Sequence, residues 1–124
     1  MRFIVFLKST AQTESGAPAD PAIVQAMRAY NVRLRQAGVL LGGEFLKSSA
    51  EGVRLKIGAE GPSVTKGPFA DPDTLIAGFW VFNCSTLQDA IGWAGQAPLQ
   101  PGVELEIRPL LALAADGRIK ATQS

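Results

Sequence analysis

Glu44 is the residue in this sequence whose surroundings are best suited to acid–base chemistry. It follows two glycines inside the otherwise apolar segment VLLGGEFLK, residues 39–47. A carboxylate that points into an apolar interior is desolvated, which raises its pKa towards neutrality and makes it a usable general base. At a strand edge, or paired with Arg108 or Lys66, the same carboxylate would have only a structural role. The sequence leaves both interpretations open.

Residues 65–69, TKGPF, place a lysine before a glycine–proline corner and an aromatic ring. Gly67 and Pro68 predict a rigid turn, because glycine tolerates positive φ and proline restricts φ. Such a corner can present backbone N–H groups and the Phe69 ring to a ligand, or it can serve only as a turn. Lys66 could bind a ligand carboxylate or phosphate, and Arg108 could do so through two parallel hydrogen bonds.

Tyr30 and Trp80 are the aromatic candidates for the same pocket. Tyr30 shares one helix face with Ile23, Met27 and Leu34, which predicts a core position from which its hydroxyl could still reach a cleft. Trp80 lies in an apolar strand and is expected to fill the core or a dimer contact, or else to line the pocket. In each case its N–H needs a hydrogen-bond partner.

Other functions are excluded by what the sequence lacks. With no histidine and one cysteine, Cys84, the usual neutral base, a disulfide framework and the common zinc ligands are all missing. No phosphate-loop or dinucleotide pattern is present, so we expect no metal and no cofactor. A net charge of +1 gives no case for nucleic acid or an anionic membrane. The short apolar run in MRFIVFLKST is neither a signal sequence nor a membrane span, which predicts a cytoplasmic protein.

The 124 residues suffice for one domain, and their periodicity predicts its elements. Asp20 and Pro21 should start the first helix and Gly38 should end it, while Ser85 and Gln88 fit a capping box for the second. Residues 9–19 are predicted to be a loop. The predicted strands are residues 2–8, 39–47, 53–57, 63–66, 75–83 and 103–110.

This order predicts an α+β, ferredoxin-like split βαβ fold. An antiparallel sheet, with an inserted β-hairpin, should carry both helices on one face. The strands at residues 2–8 and 75–83 are apolar on both sides, so the opposite face should also be covered. A second copy is the simplest cover, and we therefore expect a homodimer.

With these elements in place, the sequence resembles the YCII-related family, in its DGPF-domain branch. The likeness is carried by AGVLLGGEFL, GPFAD, GFWVFNCSTLQDAIGWA and VELEIRPL, and it covers residues 1–110, leaving 111–124 as a C-terminal tail. It implies a dimeric α/β barrel with a cleft where the corner meets the sheet. Members of the wider superfamily include lyases, isomerases, dehalogenases and monooxygenases. The branch's aspartate before Gly-Pro-Phe is Lys66 here, and the family's proposed catalytic histidine has no counterpart.

Three hypotheses follow. The first is a protein that binds a small, partly apolar, anionic molecule in a dimer-associated cleft. The second is a lyase or isomerase in which Glu44 moves a proton, and the third is a structural dimerisation module. The residues predicted to bind the ligand are Tyr30, Lys66, Gly67, Pro68, Phe69, Trp80 and Arg108.

Overall fold

The computed structural model describes residues 1–113 and 115–119. Within that part of the chain lie six strands and three helices, with 3₁₀ turns at Ser49–Glu51 and Pro72–Thr74. None of these helices has the length and hydropathy that a membrane crossing requires. In chain order the elements are β1 (Arg2–Lys8), α1 (Ala11–Glu14), α2 (Pro21–Gln36), β2 (Leu40–Phe45), β3 (Val53–Gly58), β4 (Gly61–Lys66), β5 (Ile76–Asn83), α3 (Leu87–Ala94) and β6 (Leu105–Pro109).

Four of the strands form one antiparallel sheet in the order β2-β5-β1-β6. The strands that follow the first and second long helices therefore lie on opposite sides of the central pair, which is the ferredoxin-like arrangement. β3 and β4 form a separate hairpin. The predicted α+β, ferredoxin-like fold with an inserted hairpin is confirmed.

One face of the sheet packs against α2 and α3. From α2 this core takes Met27, Tyr30 and Leu34, which confirms the helical stripe except at Ile23, where the side chain is half-buried. α2 begins as predicted, since the Asp20 carboxylate accepts a hydrogen bond from the Ala22 N–H at 2.8 Å and Pro21 is the first helical residue. From the sheet the core takes Phe3, Val5, Leu7, Trp80 and Phe82, among others.

The other face of the sheet is called here the open face, and within residues 1–113 and 115–119 no element packs across its centre. Its central side chains are Ile4 and Phe6 of β1 and their partners Val81 and Phe79 of β5, all half-buried. Opposite β1 on the other side, Glu106 pairs with Phe6 and Arg108 with Ile4. The prediction that the central strands are apolar on both faces is therefore confirmed.

The local structure differs from the prediction in residues 9–19, where a short helix replaces the expected loop. Thr10 caps α1 by accepting a hydrogen bond from the Thr13 N–H, and the Thr13 hydroxyl in turn accepts one from the Thr10 N–H. Two threonines thus form the reciprocal cap usually made with glutamate or glutamine at the second position. The prediction missed α1 because it took the small, polar residues of this segment as typical of a loop.

The cap of α3 was also wrongly placed. Thr86, not Ser85, accepts the hydrogen bond from the Asp89 N–H, at 3.1 Å. Ala90 and Ala94 of this helix are buried, whereas Leu87 and Ile91 are exposed. The helix is therefore turned so that its two alanines are buried against the core, with Trp93 packed partly against it.

The hairpin formed by β3 and β4, residues 53–66, is called here the hairpin arm. Its strands are joined by a two-residue connection, and every residue from Val53 to Lys66 is exposed. The return strand begins at Gly61, earlier than the predicted 63. In the predicted tail, Leu113 and Ile119 form an isolated bridge, while residues 114 and 120–124 lie outside the described part.

Candidate ligand cleft

A cleft of about 610 Å³ lies over one end of the open face. Phe6, Ile76 and Glu106 of the sheet line one side, and Gly52 and Arg54 at the root of the hairpin arm line another. The remaining lining comes from the ends of β1 and α1 and from the turns and loops around them, namely Lys8, Glu14, Leu46, Lys47, Ser48, Ser49, Phe69, Thr74 and Leu75. Its volume lies within the range usual for small-molecule sites.

The corner at Gly67–Pro68 forms the wall from which Phe69 enters the cleft. The peptide bond between the two residues is cis, and the Gly67 N–H donates a hydrogen bond to the Gly52 carbonyl at 2.9 Å. A Cβ atom at Gly67 would overlap the Ser49 carbonyl. Glycine is needed here for close approach, rather than for the positive φ that the sequence suggested.

Ser49 ties three segments together behind the cleft. Its backbone N–H and its hydroxyl both donate to the Glu14 carboxylate, at 3.0 and 2.5 Å. Its hydroxyl oxygen also accepts a hydrogen bond from the Phe69 N–H, at 3.0 Å. α1, the 3₁₀ turn and the corner are therefore held in one network, and these hydrogen bonds restrict how Phe69 can move.

Arg54 places a positive charge at the edge of the cleft. Its guanidinium carbon lies 4.0 Å from the centroid of the Phe69 ring, a cation–π contact. Arg54 makes no ion pair within residues 1–113 and 115–119. Stacking holds the plane of the guanidinium group while its N–H groups stay available for a carboxylate.

Lys8 is the second cation of the cleft, and it is already partly engaged. Its ammonium group donates a hydrogen bond to the Asp73 carbonyl at 3.2 Å and lies 3.9 Å from a carboxylate oxygen of Glu106. Its side chain is 24% exposed, so it keeps contact with the solvent that fills the cleft. The Asp73 carbonyl and the Glu106 carboxylate together hold the ammonium group at the cleft.

Glu44, in the edge strand β2, and Trp80, in the neighbouring β5, lie away from this cleft. They line a second groove, of about 390 Å³, together with Asn31 and Arg35. Glu44 is directly opposite Phe79 on the open face and is exposed in the single chain. The general base of the enzyme hypothesis is therefore not among the residues that line the cleft beside the corner.

Tyr30 and the Trp80 indole are part of the core. The Tyr30 hydroxyl donates to the Trp93 carbonyl at 2.8 Å, and the Trp80 N–H donates to the Asn31 side-chain oxygen at 3.0 Å. The two rings meet edge to face, with centroids 5.9 Å apart. Desolvation raises the pKa of Tyr30 to about 12, although the nearby Arg33 acts in the opposite direction.

Lys66 and Arg108 are both exposed and line neither the cleft nor the groove. Lys66 ends β4 opposite Val53. Arg108 lies opposite Ile4 on the open face, 4.0 Å from Glu106. Of the residues predicted to bind a ligand, Phe69 is the one that lines the cleft, and Gly67 and Pro68 position it.

The structure adds Arg54, Lys8, Glu14 and Ser49 to the residues suggested by the sequence. Arg54 could have been suspected only from its residue type, because a guanidinium group suits the recognition of a carboxylate. The pairing of Glu14 with Ser49 had no sequence signal, since it joins residues far apart in the chain.

Neither Cys84 nor an acidic cluster provides a metal or nucleophile site. Cys84 is buried, and burial together with the charge of Asp89 raises the pKa of its thiol. The described residues contain no group of three or more His, Cys, Asp or Glu side chains arranged to hold a metal ion.

The protein is thus a ferredoxin-like α+β chain with an open sheet face and a cleft at one end of that face. The model of the YCII-related domain matches residues 1–111. The chain belongs to the YCII-related family. The match is to the family as a whole, so the DGPF branch stays a prediction. No curated protein matches the chain.

Proposed function

We propose that this protein binds a small, partly apolar, anionic molecule in the cleft beside Phe69. The observation that carries the proposal is the Arg54 guanidinium stacked 4.0 Å from the Phe69 ring centroid at the edge of the cleft. A stacked guanidinium loses little freedom on binding a carboxylate, because its plane is already held.

The charges around the cleft favour an anion. Three cations line it, Lys8, Lys47 and Arg54, against two carboxylates, Glu14 and Glu106. The Glu14 carboxylate already accepts two hydrogen bonds from Ser49, so it offers little to a ligand. Arg54 and Lys8 are the groups to which we assign the ligand's negative charge.

The apolar part of the ligand would lie against the sheet. Phe6, Ile76, Leu46 and Leu75 line the cleft together with the Phe69 ring. Flat aromatic and branched aliphatic carboxylates both suit such a lining, since pockets of this kind combine apolar walls with few polar groups.

The proposal includes a homodimer formed through the open face. Ile4, Phe6, Phe79 and Val81 form an apolar strip across the centre of that face. A second copy would remove the strip from water and would also exclude water from the adjoining cleft, which strengthens the attraction between Arg54 and an anion. Light scattering that gave a monomer at micromolar concentration would contradict this part.

Benzoate and its neutral analogue benzamide test the ligand proposal. We expect saturable binding of benzoate by titration calorimetry, at least about tenfold weaker binding of benzamide, and a similar loss of benzoate affinity in Arg54→Gln. The matched control is Arg33→Gln, because Arg33 is also stacked on an aromatic ring, 5.7 Å from the Tyr30 centroid, but does not line the cleft.

The outcomes separate the remaining hypotheses. If a panel of aromatic and aliphatic carboxylates gives no saturable binding, the ligand proposal fails and the structural dimerisation module is favoured. Equal effects of Arg54→Gln and Arg33→Gln would place the anion elsewhere. Conversion of a bound carboxylate, lost in Glu44→Gln, would favour the lyase or isomerase hypothesis.

A further inference from the structure

The hairpin arm exposes a continuous apolar surface on one of its two faces. Val53, Leu55, Ile57 and Val64 are each more than half exposed, and Ile57 reaches 75%. The register places them together, since Leu55 is opposite Val64 and Ile57 is opposite Pro62, and the one charged residue of this face is Lys66, at its end opposite Val53. Exposed apolar surfaces of this kind mark contacts with another molecule.

The arm has no core of its own within the described chain. Its two strands pair only with each other, and its opposite face carries Arg54, Lys56, Ser63 and Thr65. An isolated two-stranded hairpin is marginally stable in water. Because Arg54 and its polar face adjoin the cleft, the apolar face is directed away from the ligand site and is not needed for it.

We propose that the apolar face of the hairpin arm packs against a second copy of this chain, and this rests on the homodimer of the proposed function. The strip on the open face supplies only four half-buried side chains, whereas stable dimers bury roughly 800 Å² on each partner. The arm supplies four more side chains. The two surfaces adjoin, since Gly52 and Arg54 of the arm's root line the same cleft as Phe6 of the open face.

This contact links dimerisation to the ligand site. Arg54 and Leu55 are consecutive in β3, so their side chains point to opposite faces of the arm. Packing Leu55 against the second copy restrains β3, and with it the position of Arg54 over Phe69. Benzoate affinity should therefore fall when the protein is diluted below the dimer's dissociation constant.

A double substitution on the arm tests the contact, with a matched pair on the helix layer as control. We expect Leu55→Ser with Ile57→Ser to raise the dimer's dissociation constant about a hundredfold by sedimentation analysis, because two aliphatic side chains are no longer buried. The control pair, Leu87→Ser with Ile91→Ser, should leave the dimer's dissociation constant unchanged. These two side chains are 47% and 46% exposed, but they lie on α3.

The outcomes distinguish this inference from the proposal it rests on. If the arm variant and the wild type have the same dissociation constant, the role of the arm is overturned, while the dimer formed through the open face is still supported. A wild-type protein that is monomeric at micromolar concentration overturns both. Benzoate binding is measured separately, so a failure of the ligand proposal does not alter either result.

Hydrogen exchange on the wild-type protein covers the case in which the arm variant does not fold. Amides of β3 and β4 should be protected at high protein concentration and should exchange at least about tenfold faster after dilution to monomer. Protection that does not depend on concentration, with a dimer present, would overturn the contact.

Discussion

The two faces of the central sheet are built from alternate residues of the same strands, yet they differ in burial. In β1, Phe3 and Val5 are 1% and 0% exposed, whereas Ile4 and Phe6, which alternate with them on the open face, are only half-buried. Both sets are equally apolar, so hydrophobicity alone does not decide which is buried. The helices cover one face, and no element of the described chain covers the other.

The polar groups of the two faces differ in how closely they are paired. Behind the covered face, the hydroxyl of Tyr30 and the indole N–H of Trp80 each have a well-formed hydrogen bond. On the open face, Glu106 is 3.9 Å from the ammonium of Lys8 and 4.0 Å from the guanidinium of Arg108, both loose ion pairs. Satisfied groups stabilise a unique core, whereas loosely paired charges can exchange their partners for a ligand.

Substitution of one phenylalanine on each face should give the largest contrast. We expect Phe82→Ala to lower the free energy of unfolding by about 3–5 kcal/mol, because Phe82 is fully buried and its loss leaves a cavity. Phe6→Ala should cost less than about 2 kcal/mol in the monomer, since its ring is half-exposed. Urea unfolding at low protein concentration measures both, and equal costs would contradict the comparison.

Alkaline pH should lower the free energy of unfolding through the ionisation of Tyr30, on the covered face. Its pKa is about 12 in the folded chain against 10.0 when unperturbed, so the unfolded chain loses its proton first as pH rises. The stabilisation linked to the Tyr30 proton is therefore complete below pH 10 and disappears by about pH 12. The free energy of unfolding should fall by roughly 2–3 kcal/mol over this range.

Urea unfolding between these pH values measures the effect, with Tyr30→Phe as the control. The variant lacks the titrating hydroxyl, so its stability should fall less steeply across this range. It also loses the hydrogen bond to the Trp93 carbonyl, at a cost of about 1 kcal/mol that does not depend on pH. Parallel slopes in the two proteins would assign the alkaline loss to other groups.

Gly67→Ala should disturb the open face at the cleft. The added Cβ would meet the Ser49 carbonyl, so the corner must shift, at a cost of about 1–3 kcal/mol and with weaker benzoate binding. Gly92→Ala is the matched control. A Cβ there meets nothing within 4 Å, and alanine in α3 should be neutral or stabilise the protein by up to about 1 kcal/mol. The prediction fails if Gly67→Ala lowers the free energy of unfolding no more than Gly92→Ala does.

Ser49→Ala should have the smallest effect, confined to the cleft. Removing the hydroxyl leaves the Phe69 N–H without its acceptor and the Glu14 carboxylate with one donor fewer, at a cost of about 1 kcal/mol. Hydrogen exchange should show a faster Phe69 amide. Ser63→Ala, on the exposed arm, should leave that amide unchanged, and an unaltered Phe69 amide in Ser49→Ala would refute the role of the network.

Short-range patterns were sufficient to predict the fold. The alternation in residues 2–8 and 75–83, the Asp20–Pro21 start and the Gly38 end of α2 depend on contacts between near neighbours, and the structure contains all of them. The Gly67–Phe69 corner was predicted for the same reason. These features follow from backbone geometry and side-chain periodicity, which each short segment carries by itself.

The composition of the cleft, in contrast, was decided by the tertiary structure. Arg54 meets Phe69 and Ser49 meets Glu14 only after the sheet, the arm and α1 have assembled. Lys66 and Arg108 were predicted from their charge to bind the ligand, yet they lie outside the cleft. A short segment does not specify which distant segment will lie beside it. The sequence by itself determined α2, the strands and the alternating faces of β1 and β5. Long-range packing, whose partners are set by the whole chain, determined which side chains share the cleft.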